Sequence, residues 1–123
     1  MTGSFPRRGE IYLASLRTRP ARRKVRPVLV ISPDVRNRWA GDVLVVPIST
    51  YLRPAPTHVF LDRTEGGLTH PSVVKCEQIT CLDKALLDPH PLGRPLSFDR
   101  MRVVERALLT SLGVFDFPSP SAA

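Results

Sequence analysis

The chain has 123 residues, and its 18 Lys and Arg against 11 Asp and Glu give a formal net charge of +7. That length fills one hydrophobic core rather than two, so one domain is expected. No apolar run approaches the roughly 18 residues of a membrane span and the first residues hold no apolar signal core, so no spanning helix is expected and the cytoplasm is the expected compartment.

Residues 1–8 read as a flexible N-terminal segment, 9–117 as the folded unit and 118–123 as a flexible tail rich in Pro, Ser and Ala. Glu10 to Leu16 is the first predicted strand. A cationic run follows: six of the ten residues from Arg17 to Arg26 are Lys or Arg, and residues 7–26 carry eight basic side chains against one acid, Glu10. Clustered cations gain affinity for polyphosphates by displacing counterions, so nucleic acid is the favoured partner, with Arg22, Arg23 and Lys24 as contacts. A membrane surface fits less well, because no basic amphipathic helix is visible in the run.

Arg26 to Ile31 is predicted as a central strand, with Pro27 near its start where a missing N–H is tolerated. Its rigidity presents the Arg26 guanidinium, a planar fork suited to paired phosphate oxygens. In the loop that follows, Asn37 lies between Arg36 and Arg38 and before Trp39. These groups suit either an unstacked base or a turn in which Trp39 covers a core edge. Val43 to Ser49 is the third strand, and neighbouring Ser49 and Thr50 face opposite ways, leaving open which one meets a ligand. Ser49 has its own structural use, bonding local backbone at a strand end.

Arg53 and Pro56 lie in the next loop. A fourth strand runs from Thr57 to Leu61 and opens with His58, whose residue type suits acid–base work but more often serves packing. A fifth strand, Ser72 to Thr80, carries Glu77 and Gln78. Short strands separated by turn residues suggest a small curved β-barrel. Cys76 and Cys81, at an odd offset if both lie on extended chain, would face opposite ways and not pair. No Cys-x-x-Cys or His-x-x-x-His spacing occurs, and His58, His70 and His90 lie in separate segments, so neither metal nor cofactor is expected.

One helix closes the chain. Ser97 caps it, Met101, Val104, Leu108 and Leu112 recur at spacings of three and four, and Gly113 stops it. Arg100, Arg102 and Arg106 fall mostly off that stripe, as a solvated face.

Taken in order, Arg8-Gly9-Glu10-Ile11-Tyr12, Arg26-Pro27-Val28-Leu29-Val30-Ile31-Ser32, the Asn37 loop, Val45-Val46-Pro47-Ile48-Ser49-Thr50, Pro56-Thr57-His58-Val59, Glu77-Gln78-Ile79 and the closing helix resemble the MazF/PemK-type toxin endoribonucleases. The resemblance implies a mostly β fold with a C-terminal helix, an SH3-like curled barrel of the PemK/CcdB type. It also implies metal-independent, sequence-specific cleavage of single-stranded RNA, in which the 2′-OH attacks the adjacent phosphate and leaves a 2′,3′-cyclic phosphate and a 5′-OH.

In that pattern Arg26 matches the catalytic arginine. Because an arginine is not deprotonated in proteins, its role is electrostatic. Ser49 stands where the family has a catalytic threonine, and lacks the methyl that stiffens χ1. Glu77 and Gln78 match the strand implied to touch bases, with Glu77 also a candidate proton acceptor or a partner for the arginines. Asn37, Thr50, Arg53, Pro56, Thr57 and His58 are the other candidate RNA contacts. The implied assembly is a homodimer whose groove is covered by a cognate acidic antitoxin. The segment Arg17 to Lys24 departs most, because it has neither the glycines nor the glutamate common there in the family. A gyrase-poisoning toxin of related fold and a degenerate member that binds without cutting are the competing readings.

Overall fold

A computed structural model describes residues 4–18 and 22–115, except for the side chains of residues 17, 18, 22 and 23. The first two strands, β1 (Ile11–Thr18) and β2 (Arg22–Val30), form an antiparallel hairpin in register from Ile11↔Leu29 to Thr18↔Arg22. Both run further than their apolar residues indicate. Backbone pairing requires no apolar side chain, so the ladder continues past the predicted strand ends into the cationic segment, as far as Thr18↔Arg22.

The Asn37 segment is also not a loop but a short helix, α1 (Asp34–Trp39). Six residues are too few to show helical periodicity, and the local cue was Asp34 in the first turn, where a carboxylate complements the helix dipole. Next come β3 (Asp42–Ser49) and β4 (His58–Leu61). The expected fifth strand is two strands, β5 (Ser72–Lys75) and β6 (Thr80–Asp83), broken by a turn at Cys76 and Glu77. The break lets the chain pair with β3 twice: β5 meets Ile48 and Ser49, whereas β6 meets Asp42 to Val45.

The six antiparallel strands run in the order β1-β2-β3-β5-β4, with β6 also on β3. With three partner strands the sheet curls around β3 into a barrel-like, mostly β fold. Both faces of Val28–Val30 in β2 and of Val45–Val46 in β3 are consequently buried, which explains the unbroken apolar run. Leu29, Val46 and Ile48 join one core with Ile11, Leu61 and Val74, while Val28, Val30, Val43 and Val45 join another with Tyr12 and Leu82.

The second helix, α2 (Phe98–Ser111), closes the first core with Met101, Val104 and Ala107. Ser97 Oγ accepts from the Arg100 N–H at 3.1 Å and so caps it as predicted. Leu108 packs against the core only in part and Leu112 is exposed, so the buried stripe ends earlier than its spacing implied. Arg100 is not merely solvated: its guanidinium grips both Glu65 oxygens, at 2.9 and 3.3 Å. Arg8, assigned to the flexible segment, is tied by its amide to Asp34 and by its side chain to the Ile31 carbonyl and Glu105.

Candidate active site

A cleft of about 610 Å³ opens over the second core. Its floor is apolar, from Val28, Val45 and Leu82. Its polar rim comes from Arg26, Ser49, Lys75, Gln78 and Thr80, with Ser15 of β1 beside them. The twofold alternation of strands accounts for the grouping. Arg26 lies two residues from Val28, Ser49 an even step from Val45, and Thr80 two from Leu82, so each polar group extends a face whose next member is core. Gln78 reaches the same cleft from the turn between β5 and β6.

This geometry separates the two hydroxyls: Ser49 lines the cleft, and exposed Thr50 does not. The Tyr51 N–H donates to Ser49 Oγ at 3.0 Å. That bond holds the oxygen and leaves its O–H to donate, supplying by the backbone some of the stiffness that a threonine methyl gives. Lys75 is the residue that sequence reasoning missed. Its signal was a lone cation after Ser72-Val73-Val74, on a strand otherwise buried. Neither Arg26 nor Lys75 forms an ion pair with any described residue, so both charges face the cleft uncompensated.

Other expected contacts lie elsewhere. Asn37 is fully buried: its amide donates to the Ser32 carbonyl at 2.9 Å, and its side-chain oxygen accepts from the Ser32 hydroxyl. Ser32 Oγ in turn accepts from the Leu44 N–H, so Asn37 splices α1 to β3 and its amide is unavailable to a base. Trp39 covers no core edge; it is 78% exposed, with the Arg38 guanidinium 5.1 Å from its ring centre. At about 3.3 Å per residue, β3 places Asp42, close to Trp39, some 23 Å from Ser49. Arg36 is spent on Asp42, bonding its carbonyl at 2.9 Å and its carboxylate at 2.6 Å, and with Cys81 holds that carboxyl below its ordinary range.

Thr57, His58 and Glu77 are brought together, but with one another. Buried Thr57 donates to Glu77 Oε1 at 2.7 Å, and His58 Nε2 lies 3.2 Å from Oε2 while its Nδ1 lies 2.7 Å from the Arg53 carbonyl. Burial pushes the Glu77 carboxyl up, but the hydrogen bonds from Thr57, its own amide and His58 outweigh burial and hold it below its ordinary value. With both oxygens engaged, Glu77 ties the end of the β3–β4 connection to the β5–β6 turn. Pro56 and His58 line a separate groove of about 360 Å³ against α2. Lys24 and Arg53 are exposed, and the side chains of Arg22 and Arg23 lie outside the described residues.

Cys76 is buried and free, its thiol pushed up to about 12 by burial and the nearby Glu77 charge, whereas Cys81 is exposed and free. Among the described residues no three His, Cys, Asp or Glu side chains gather as a metal site would need, and no helix is long and apolar enough to cross a membrane.

Residues 7–112 match the family described as PemK-like, MazF-like toxins of type II toxin–antitoxin systems. The chain belongs to this family. Endoribonuclease EndoA of Bacillus subtilis is 36% identical over 115 residues, 90% of this chain and 97% of that protein. Two solved structures show the same toxin fold. One is an endoribonuclease in complex with its cognate antitoxin, from a mycobacterial species, with TM-score 0.76, 30% identity and 94% and 99% of the two chains covered. The other is Mycobacterium tuberculosis toxin MazF-mt6, with TM-score 0.74, 28% identity and 88% and 99% covered.

Proposed function

We propose that this toxin-family endoribonuclease cuts single-stranded RNA at a short sequence, without a metal, by attack of the ribose 2′-OH on the adjacent phosphorus. The observation that carries the reading is the convergence of Arg26, Lys75, Ser49 and Gln78 on one cleft. As the 2′-oxygen bonds to phosphorus, negative charge builds on the two non-bridging oxygens. Arg26 meets them with a bidentate fork and Lys75 with a point charge, over an apolar floor that strengthens both. The bond to the 5′-oxygen of the next nucleotide then breaks. The proton lost by the 2′-OH passes to solvent water; Ser49 donates a hydrogen bond to the 5′-oxygen as it leaves, water returns a proton to that oxygen, and the products are a 2′,3′-cyclic phosphate and a 5′-OH. Gln78, exposed at the rim with an amide that donates and accepts, reads a base edge.

Family membership supports a reading of partner and compartment. The toxin acts as a cytoplasmic homodimer, and a cognate antitoxin rich in acidic residues covers the cationic cleft. The mycobacterial relative complexed with its own antitoxin supports this part of the reading.

The test is purified protein with mixed-sequence single-stranded RNA in EDTA, followed by mapping of 5′-OH ends. The expected result is cutting at one recurring short word. Cutting only after magnesium is restored refutes metal independence, and RNA binding without cutting under either condition refutes the nuclease reading.

A further inference from the structure

The connection from β3 to β4, residues 50–57, presents two large apolar side chains to solvent: Tyr51 is 71% exposed and Leu52 47%. Its backbone is nonetheless well tied. The Tyr51 N–H is bound to Ser49 Oγ, and the Tyr51 carbonyl accepts from the Arg53 N–H at 2.9 Å. The Arg53 carbonyl meets His58 Nδ1, and the His58 N–H donates to the Ala55 carbonyl at 3.0 Å. Pro54 and Pro56 restrict the remainder. The Thr57–Glu77–His58 ties anchor the far end to the β5–β6 turn that carries Gln78.

An aromatic ring held on a pre-organised turn, with most of its surface in water, contributes little to the fold and is available to a ligand. Trp39 is equally exposed but stands at the far end of β3. Tyr51 instead belongs to the residue whose amide grips the cleft hydroxyl. The surroundings favour a nucleotide over an acidic peptide side chain or a cation, because a base offers a flat π-face and its phosphate suits Arg53. No acidic residue occurs from Ser49 to Leu61.

We infer that Tyr51 is a stacking platform for the base of a nucleotide flanking the cut phosphate, an inference that rests on the RNA-cleaving reading above. Every base has a π-face, so this contact adds affinity and holds the strand across the cleft without choosing the sequence. Choice is left to hydrogen-bonding groups such as Gln78.

The experiment measures binding of a mixed-sequence 2′-O-methyl RNA, which cannot be cut, to wild-type protein and to the Tyr51→Phe, Tyr51→Ala and Trp39→Ala variants. Cleavage of unmodified RNA is followed in parallel. Tyr51→Ala should bind about 10- to 100-fold more weakly, whereas Tyr51→Phe and Trp39→Ala match wild type. The slope of log K against log salt and the cleavage word should stay unchanged, because no phosphate contact or base-edge contact is lost. Tyr51→Ala binding within twofold of wild type, or Tyr51→Phe as weak as Tyr51→Ala, overturns the platform. A flatter salt slope in Tyr51→Ala also overturns it, showing a lost phosphate contact instead. Wild type that binds but never cuts overturns the nuclease reading while the binding arms still decide the platform, and wild type that binds no RNA overturns both.

Discussion

At the scale of single residues, the cleft divides the work among side chains that differ in how firmly they are fixed. Ser49 is held through its oxygen by the Tyr51 N–H, so Ser49→Thr should cut at least as fast as wild type, with only a small gain. Ser49→Ala removes the proposed donor to the leaving oxygen and should slow cutting about 100- to 1000-fold with the fold intact. Equal single-turnover rates for the three proteins would remove the hydroxyl from the mechanism. Arg26→Lys keeps the charge and loses the fork. It should therefore retain most RNA affinity while turnover falls by a similar factor, a split read by comparing KM with kcat. Near wild-type kcat would make Arg26 a binding group. The sequence motif carried Arg26 and Ser49, but Lys75 needed the fold, because nothing in Ser72-Val73-Val74-Lys75 says that a cation there will meet a guanidinium from β2. Asn37 was misjudged for the same reason. A polar side chain between two arginines looks solvent-facing until α1 turns it inward onto Ser32.

At the scale of elements, the decisive event is the break between β5 and β6. It puts Gln78 in the cleft and Glu77 beside Thr57 and His58, where a continuous strand would have sent adjacent residues to opposite faces of one sheet. Glu77 titrates below its ordinary value of 4.5 in the folded protein, so its ionised form stabilises the fold. That contribution is fully present above pH 4.5 and is lost as the pH falls through the depressed folded value. The side chain is 38% exposed, and solvent screening keeps the effect below about 1 kcal/mol. Glu77→Gln should accordingly lower the melting temperature slightly at neutral pH and flatten its decline below pH 4.5. A variant whose melting curve tracks wild type across the acid range would show that the tie carries no stability. No strand periodicity announces such a break, since Cys76 to Ile79 contains neither Gly nor Pro.

At the scale of the whole molecule, the net charge of +7 is distributed unevenly, with the cationic hairpin end reached along the same two strands that supply Ser15 and Arg26 to the cleft. Replacing Arg22, Arg23 and Lys24 by Gln should weaken RNA binding and flatten the log K against log salt slope by about 2 units, with the cleavage word unaltered. A new word with an unchanged slope would instead make the hairpin end a base reader. The order of motifs, the mostly β class, the capped closing helix and a cation on β2 just before its buried run were all legible in the sequence. They depend on local pattern: an apolar run bounded by turns, a serine three residues before the amide it caps, a proline that keeps its predecessor extended. Which polar groups share a space was settled only by the tertiary structure. The cleft is assembled from residues 15 to 86, on five strands, the β5–β6 turn and the 3-10 turn Lys84–Leu86, and their meeting depends on β3 pairing with β2, β5 and β6 together. Such long-range pairing is fixed by the packing of two cores around one strand, and no local window of sequence contains it.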